Sequence, residues 1–595
     1  MSTIQFQLST LNTVVEQTAK NFQAKDVIER IWEKDYELWR SEEIHKKSIL
    51  TRLGWLESPK FMEKKLNELE KFSLSIHRGQ FTHVVVLGMG GSSLCSDVCR
   101  IVFNSTDEIP QLLVLDSTNP TSILRIENSV NLRSTLFIVA SKSGSTIETA
   151  TLFLYFYEKV KSIKRNPEKN FVAITDPNTE MEKIAKEKEF RNIFLNPKDI
   201  GGRYSALSYF GLVPMAAIGM DVKKIMESAM QEVSVCKKNI VENPAAMLGI
   251  AMGEAEKQGR NKLTFVLSSK TASMYYWIEQ LVAESTGKEG KGILPIEYEV
   301  DIKEKISEKN FRERFFIFLV LKKDKNKYET FQKKLLELEC PFVQIELDDV
   351  YELGGQFFLW EFATAISAMV SQINPFDEPN VTESKEYTRN VLEDYKKEYT
   401  LPKLPLLFEE KRIFVYGENN YEKNLHTQIV KHCTPSEEGN YIAVLAYIDQ
   451  NPRNEKLLLA LREALYKKFS IPVTIGFGPR YLHSTGQLHK GGMQKGKIII
   501  IRTDEILDAI EKRMEERPNL RVSILSSKRF ITNSKQYKSA NWDKIKNLTK
   551  KYPDRFFMTI TYESSQNNPY DNEFKYISIC FSKFSSPSSN AWLGI

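Results

Sequence analysis

Leu136-Phe137-Ile138-Val139-Ala140-Ser141-Lys142-Ser143-Gly144-Ser145-Thr146 passes from an unbroken apolar run straight into hydroxyls, a lysine and a glycine. The apolar part has the length of a strand buried on both faces, and Glu148 beyond the polar part opens a helix-like apolar run. The same grammar recurs around it. Val84–Leu87 stops at Gly88, Leu112–Leu115 stops at Asp116, and Val172–Ile174 stops at Thr175 and Asp176. Short apolar runs separated by helix-length segments predict an α/β fold, with a parallel sheet flanked by helices. In such sheets ligands gather beyond the carboxyl ends of the strands, where these polar turns fall.

Working outward, residues 14–75 read as helices. Val27, Ile28, Ile31, Trp32, Tyr36, Leu38 and Trp39 recur at helical spacing, and a charged helix follows over Phe61–Phe72. We expect a helical collar over 1–75 packed on a first α/β domain over 76–244. A second α/β domain is expected over 245–400, from the runs Leu263–Leu267, Phe315–Leu321 and Phe342–Ile345. There the apolar helix Gln356–Ile373 is stopped by Asn374-Pro375. Glu386–Leu407 reads as a polar connector. A third α/β region, 401–595, contains strands from Arg412–Gly417, Tyr441–Tyr447, Val473–Ile475 and Lys497–Ile501. Phe556–Tyr562 and Tyr576–Phe581 read as further β-rich stretches, and Ser586–Asn590 as loop or flexible tail.

Composition narrows the class. At 595 residues the chain needs more than one core. Lys plus Arg total 83 against 77 Asp plus Glu, so the net charge of +6 gives no case for nucleic-acid binding without a concentrated basic patch. Met1–Thr13 lacks the basic start and apolar stretch of a signal peptide, and no apolar run reaches membrane-spanning length. The expectation is a cytoplasmic chain with no membrane partner. The cysteines are read as structural thiols in a reducing compartment, since Cys95 and Cys99 have neither redox nor zinc spacing and His432-Cys433 is only an adjacency.

Several segments carry chemistry. Gly88-Met89-Gly90-Gly91-Ser92-Ser93 follows a strand directly, and its amides suit either an anion or a tight structural turn. It lacks the dinucleotide fingerprint. Ser141–Thr149 offers hydroxyls, amides and a helix N-terminus, as a phosphomonoester requires, although a Ser/Thr-rich helix cap reads the same way. No GxxxxGK[ST] loop is present to support phosphoryl transfer. Gly201-Gly202-Arg203-Tyr204-Ser205 holds a guanidinium close to backbone, able to stabilise an enediolate or orient sugar hydroxyls; the alternative is a surface arginine after a turn. Glu284-Ser285-Thr286-Gly287-Lys288 places a carboxylate at an apparent helix end. His483-Ser484-Thr485-Gly486-Gln487-Leu488-His489-Lys490-Gly491-Gly492 is a polar, glycine-rich block that suits a binding loop and not a zinc site.

Taken together, Gly88–Ser92, Ser141–Thr149, Gly201–Ser205, Glu284–Lys288 and Asn374-Pro375-Phe376-Asp377 followed by Lys385 resemble the glucose-6-phosphate isomerase family, whose core is two sugar-isomerase domains. Gln280–Pro295 and Gly476–Gly492 are similar to the isomerase portion of bifunctional transaldolase/phosphoglucose isomerase proteins. Nothing resembles a complete transaldolase half. The resemblance covers roughly residues 15–500. It implies reversible interconversion of glucose 6-phosphate and fructose 6-phosphate, a step of glycolysis and gluconeogenesis, by ring opening and enediolate proton transfer. Glu284 falls on the family's base, Arg203 on its arginine and Lys385 on the lysine of ring chemistry. The ring-opening histidine falls on His489 or His483, with His489 preferred. Ser141, Ser143 and Thr146 fall on the phosphate-binding positions, with Ser92, Lys142, Ser145 and Gly202 beside them, and Glu148 matches an acidic position after the loop. Neither a metal nor a redox cofactor is implied, and self-association is expected.

One position departs from the family pattern: Glu378 stands where glutamine is usual. A carboxylate beside a dianionic substrate repels it unless Lys385 or another cation offsets the charge. Two rival readings therefore stand, a non-catalytic sugar-phosphate-binding regulator and an isomerase for another hexose phosphate.

Overall fold

The apolar runs become strands, and the register of their pairing sets their polar ends side by side. The structure, a computed structural model, describes residues 2–103, 109–299, 311–398, 405–410, 413–417, 422, 424–503 and 577–582. The described residues divide into two units.

The first unit comprises residues 1–116, 130–379 and 483–493 and contains two sheets. Its strands are β1 (Thr3–Gln7), β2 (His83–Gly88), β3 (Gln111–Leu115), β4 (Thr135–Ala140), β5 (Phe171–Thr175), β6 (Asn192–Leu195), β7 (Lys262–Leu267), β8 (Leu294–Glu297), β9 (Arg314–Leu321) and β10 (Phe342–Leu347). One sheet runs β3-β2-β4-β5-β6 and is parallel throughout. Gly88 pairs with Ala140 and Ala140 with Ile174, so the loops after β2, β4 and β5 leave the same edge together. The other sheet runs β1-β10-β9-β7-β8.

Here the N-terminus departs from the expected helical collar. β1 lies antiparallel on β10, from Thr3 opposite Glu346 to Gln7 opposite Phe342. Ile4 and Phe6 alternate with polar neighbours, a period-2 pattern that suits an edge strand and is too short to register against the helical run after it. The short strands β6 and β8 also escaped the sequence reading, because four residues carry almost no periodicity.

Two helices fill the middle of this unit. Leu353–Ser371 is buried along its whole length. It is long and apolar enough to cross a membrane, yet every residue of that stretch is enclosed by protein. Helix Pro244–Lys257 packs against it through Gly249 and Gly253. A Cβ at Gly249 would stand 2.4 Å from the Ala363 carbonyl oxygen, and one at Gly253 2.5 Å from the Val370 Cβ. The missing side chains let the two backbones approach.

The second unit comprises residues 117–129, 380–482 and 494–595. Its strands are β11 (Leu406–Glu410), β12 (Ile413–Gly417), β13 (Tyr441–Tyr447), β14 (Val473–Phe477), β15 (Gly496–Thr503) and β16 (Ile577–Ser582). They form one sheet in the order β11-β12-β16-β15-β13-β14, with β11–β12 and β15–β16 antiparallel and the other pairs parallel. Helix Pro120–Ser129 is fastened within this unit: Ser122 Oγ donates to Asp449 Oδ1 at 2.5 Å, and Arg125 Nη2 to the same oxygen at 3.1 Å. The polar stretch read as a connector is helix Pro379–Glu398 over its first part. Proline opens it and Glu, Lys and Arg, all good helix formers, continue it. Phe556–Tyr562 and Ser586–Asn590 lie outside the described residues.

In an exposed helix Gly→Ala is stabilising, but at Gly249 the helix contact reverses the sign. Gly249→Ala should destabilise the protein by about 1–3 kcal/mol, seen as a lower Tm in a thermal scan.

Candidate active site

Segments singled out in the sequence meet beyond the carboxyl edge of the first sheet. Gly90 has φ +55° and faces the His483 carbonyl and the Gln280 amide, where a Cβ would come within 2.8 and 2.9 Å of their atoms. Gly91 lies against Gly202, whose carbonyl oxygen would be 2.0 Å from a Cβ at that position. The glycine loop after β2 is thus the surface on which the Arg203 turn and the His483 segment rest. Ser92 closes that turn, its N–H donating to the Met89 carbonyl at 3.1 Å.

Arg203 sits in the short 3-10 turn Gly202–Tyr204 and is 3% exposed. Each of its nitrogens is engaged. Nε donates to Ser285 Oγ at 2.9 Å, and Nη2 donates to the Pro375 and Asp377 carbonyls at 2.5 and 2.9 Å. Nη1 lies 3.2 Å from Glu284 Oε1 and 3.2 Å from Glu378 Oε2. A buried guanidinium is tolerated only when its hydrogen bonds are satisfied and its charge is matched, and both conditions hold here. Tyr204 adds a ring beside Trp55 and Phe376, which closes the apolar side of the turn.

Glu284 lies in the last turn of helix Met274–Thr286, half-buried. Burial raises its pKa above the ordinary 4.5, Arg203 pulls it down, and Glu378 pushes it up again. Its other oxygen accepts from Gln280 Nε2 at 3.1 Å, and the same amide nitrogen donates to the His483 carbonyl at 2.7 Å. His483 Nε2 in turn lies 3.2 Å from Glu148 Oε1, in the first turn of helix Ile147–Lys161. Gln280 thus bridges Glu284 to the backbone of His483, whose ring separately meets Glu148.

The loop Ser141–Thr146 lies at the start of that same helix. Gly144, at φ +67°, leaves no room for a side chain beside Thr179. Ser141 is buried and donates to Thr146 Oγ1 at 3.2 Å; Ser143 and Ser145 are exposed, and their hydroxyls meet at 3.0 Å. Thr146 stands at the N-cap position without a side-chain cap bond. Hydroxyls and helix amides that face outward are suited to an anion. Lys142 is engaged elsewhere: its ammonium pairs with Asp176 and donates to the Lys198 carbonyl at 3.0 Å.

Lys288 is buried, with Nζ on Asp377 Oδ1 at 2.9 Å and on the Asn374 carbonyl at 2.7 Å. Burial lowers its pKa to about 8 against the pull of Asp377. It joins the end of the Glu284 helix to the loop Asn374–Glu378. Neither Lys288 nor Arg52, which clamps Glu378, was singled out for a role in the sequence. Lys288 is visible only as the end of a motif, and Arg52 carries no local signal at all.

For two expected residues the described contacts show no part in this cluster. His489, the preferred ring-opening histidine, is enclosed in helix Gly486–Gly491, where burial and the neighbouring Lys490 charge push its pKa down to about 3. That helix packs on the Glu284 helix, with Gln487 Nε2 donating to the Gly287 carbonyl at 3.1 Å. Lys385 lies on helix Pro379–Glu398, and its side chain lies outside the described residues.

Part of the chain is similar to known proteins. The phosphoglucose isomerase family model matches residues 63–291. A probable glucose-6-phosphate isomerase of Methanococcus maripaludis is 28% identical over 369 residues, covering 56% of this chain and 84% of its own. The glucose-6-phosphate isomerase of Methanocaldococcus jannaschii is 26% identical over 339 residues, covering 51% and 83%. Over part of its length the chain is similar, at low identity, to phosphoglucose isomerases. A crystal structure of a hypothetical protein from Thermus thermophilus shares the fold, with a TM-score of 0.56 at 21% identity, over 66% of this chain and all of that one. The segment matched by the family model holds Ser141–Thr146, Glu148, Arg203 and Glu284. The loop Asn374–Glu378 and His483 lie beyond it, yet they complete the same cluster.

Removing Arg203 leaves the mostly buried Glu284 without its ion-pair partner and Glu378 with Arg52 alone. Arg203→Leu should cost about 3–5 kcal/mol, measured by urea denaturation. Arg203→Lys should restore only part of that loss, because an ammonium cannot reproduce the planar fork.

Proposed function

We propose that the chain is an aldose–ketose isomerase of hexose 6-phosphates, interconverting glucose 6-phosphate and fructose 6-phosphate. The observation that carries this reading is the half-buried Glu284 held beside the buried Arg203, with Gln280 bridging it to the backbone of His483, whose ring meets Glu148. The names of the relatives support the substrate class.

The phosphate binds at Ser141, Ser143, Ser145 and Thr146, where hydroxyls and the helix N-terminus supply hydrogen bonds and positive potential. Ring opening needs one group to take the proton of the anomeric hydroxyl and another to give a proton to the ring oxygen. We assign the histidine role to His483, because Glu148 orients its ring as the acidic partner of such a dyad does. His489, enclosed and difficult to protonate, then serves packing. Lys385 keeps the expected part in ring chemistry. Glu284 removes the proton from C2 of the open chain and returns it to C1, and the electron pair passes through an enediolate. Arg203 faces the oxygens on which that charge develops. Proton and electrons stay within one substrate, so the steps balance without an external oxidant.

A carboxylate must be ionised to act as the base. Because its pKa is raised, the acid limb of the rate profile should lie above the ordinary glutamate value of 4.5, with activity falling as pH falls through it. Glu284→Gln should lower kcat by roughly 10²–10⁴-fold while leaving fructose 6-phosphate binding in place. A coupled assay and calorimetry measure the two. The purified chain should also be offered mannose 6-phosphate and glucosamine 6-phosphate. Turnover of one of these in place of fructose 6-phosphate moves the assignment to another hexose phosphate, and tight binding without turnover of any refutes catalysis.

His483→Asn should slow turnover of ring-closed substrate more than proton exchange at C2 of the open chain. Deuterium wash-in followed by NMR separates the two steps.

A further inference from the structure

Glu378 places a carboxylate in the Arg203–Glu284 cluster, which on the isomerase reading must meet a dianion. Two guanidinium groups meet it. Arg52 grips both oxygens, Nη1 on Oε2 at 2.9 Å and Nη2 on Oε1 at 3.3 Å, and Nη1 also donates to the Phe376 carbonyl at 2.6 Å. Arg203 reaches Oε2 with Nη1, the nitrogen that also lies 3.2 Å from Glu284 Oε1. The remaining nitrogens of Arg203 are committed to Ser285 and to two backbone carbonyls. Two carboxylates thus share one nitrogen of one arginine.

We propose that Glu378, clamped by Arg52, is a positioning residue that draws the charge of Arg203 off Glu284 and so keeps the base strong, while Arg52 cancels the negative charge that the substrate would otherwise meet. This rests on the isomerase reading for its substrate, but its electrostatic content does not. With Glu378 ionised, Arg52–Glu378 and Arg203–Glu284 are each neutral pairs. With glutamine at 378, both arginines act on Glu284 and on the substrate unopposed.

The groups that face Glu284 come from several elements. Arg203 comes from the Gly202–Tyr204 turn, Glu378 from the loop after helix Leu353–Ser371, and Lys288 from just beyond its own helix. Gln280 lies one turn before it, Tyr204 close by, and His483 is reached through Gln280. Arg203 and Lys288 favour the charged form of Glu284, and Glu378 opposes it. Burial disfavours the charge on Glu378 itself, yet Arg203 and Arg52 overcome this and hold the group at about 2, so it is ionised wherever the base works.

The test uses the full chain and two readouts. Glu378→Gln should move the acid limb of kcat/KM down by about one pH unit and lower the plateau kcat, because the base is weaker. Carboxyl-13C glutamate NMR, with the Glu284 resonance identified by its loss in Glu284→Gln, should show the same downward shift without substrate. Arg52→Gln should raise KM for fructose 6-phosphate about tenfold. Adding Glu378→Gln to it should bring KM back towards the wild-type value, a rescue that a merely structural role does not produce. If Arg52→Gln does not fold, Arg52→Lys replaces it, with a smaller rise in KM expected. Unmoved acid limb and unmoved resonance in Glu378→Gln overturn the proposal and leave the isomerase reading intact. A wild-type chain that turns over no hexose phosphate overturns that reading, and the NMR titration still decides the electrostatic claim.

Discussion

A positive charge buried at Arg203 obliges the surrounding chain to come to it. An arginine taken out of water is tolerated only if every nitrogen finds an acceptor and its charge finds a counter-charge. The acceptors here come from two places far apart in sequence: Ser285 and Glu284 at a helix end, and the Asn374–Glu378 loop with the Pro375 and Asp377 carbonyls and the Glu378 carboxylate. Satisfying one side chain therefore fixes the relative positions of the Gly202–Tyr204 turn, the end of helix Met274–Thr286 and the Asn374–Glu378 loop. Lys288 ties two of the same pieces together a second time, through Asp377 and the Asn374 carbonyl.

The glycines allow this convergence and the charges then hold it. Gly90 and Gly91 have no side chain because the His483 and Gly202 backbones occupy the space. The phosphate-type loop Ser141–Thr146 arrives beside them because β2 and β4 pair in parallel, so that their carboxyl ends share one edge. An apparently generic anion loop thus acquires neighbours able to move protons. The helix it caps also supplies Glu148, the partner of His483, so one segment carries both the proposed phosphate loop and the acid that meets the histidine.

Glu378 looked in the sequence like a defect of the site. In the structure its charge is matched by Arg52, a cation that the sequence reading left unnamed. The cation lies some three hundred positions away along the chain, and no spacing rule connects the two. His489 shows the opposite case. In the sequence it stood in the more suggestive position, after Gly-Gln-Leu, but helix Gly486–Gly491 turns it into the protein while His483 remains beside Glu148.

Much of the fold was legible because strands buried on both faces must be short and apolar and must end in polar turns. β2, β4, β5, β7, β9, β10 and β13 all obey this. The four-residue strands β6 and β8 and the edge strand β1 escaped, since so few residues carry too little pattern to separate strand from loop. The helix Pro379–Glu398 escaped as well, because its largely polar sequence has no continuous apolar stripe to announce it. Of the candidate site, residue types and their local turns could be read from the sequence: hydroxyls before a helix, a guanidinium after two glycines, a carboxylate at a helix end. Which charge answers which, and which histidine faces the acid, are decided by contacts between segments hundreds of residues apart. Only the tertiary structure could decide them, because charge pairing depends on distance in space and a linear chain records only distance along itself.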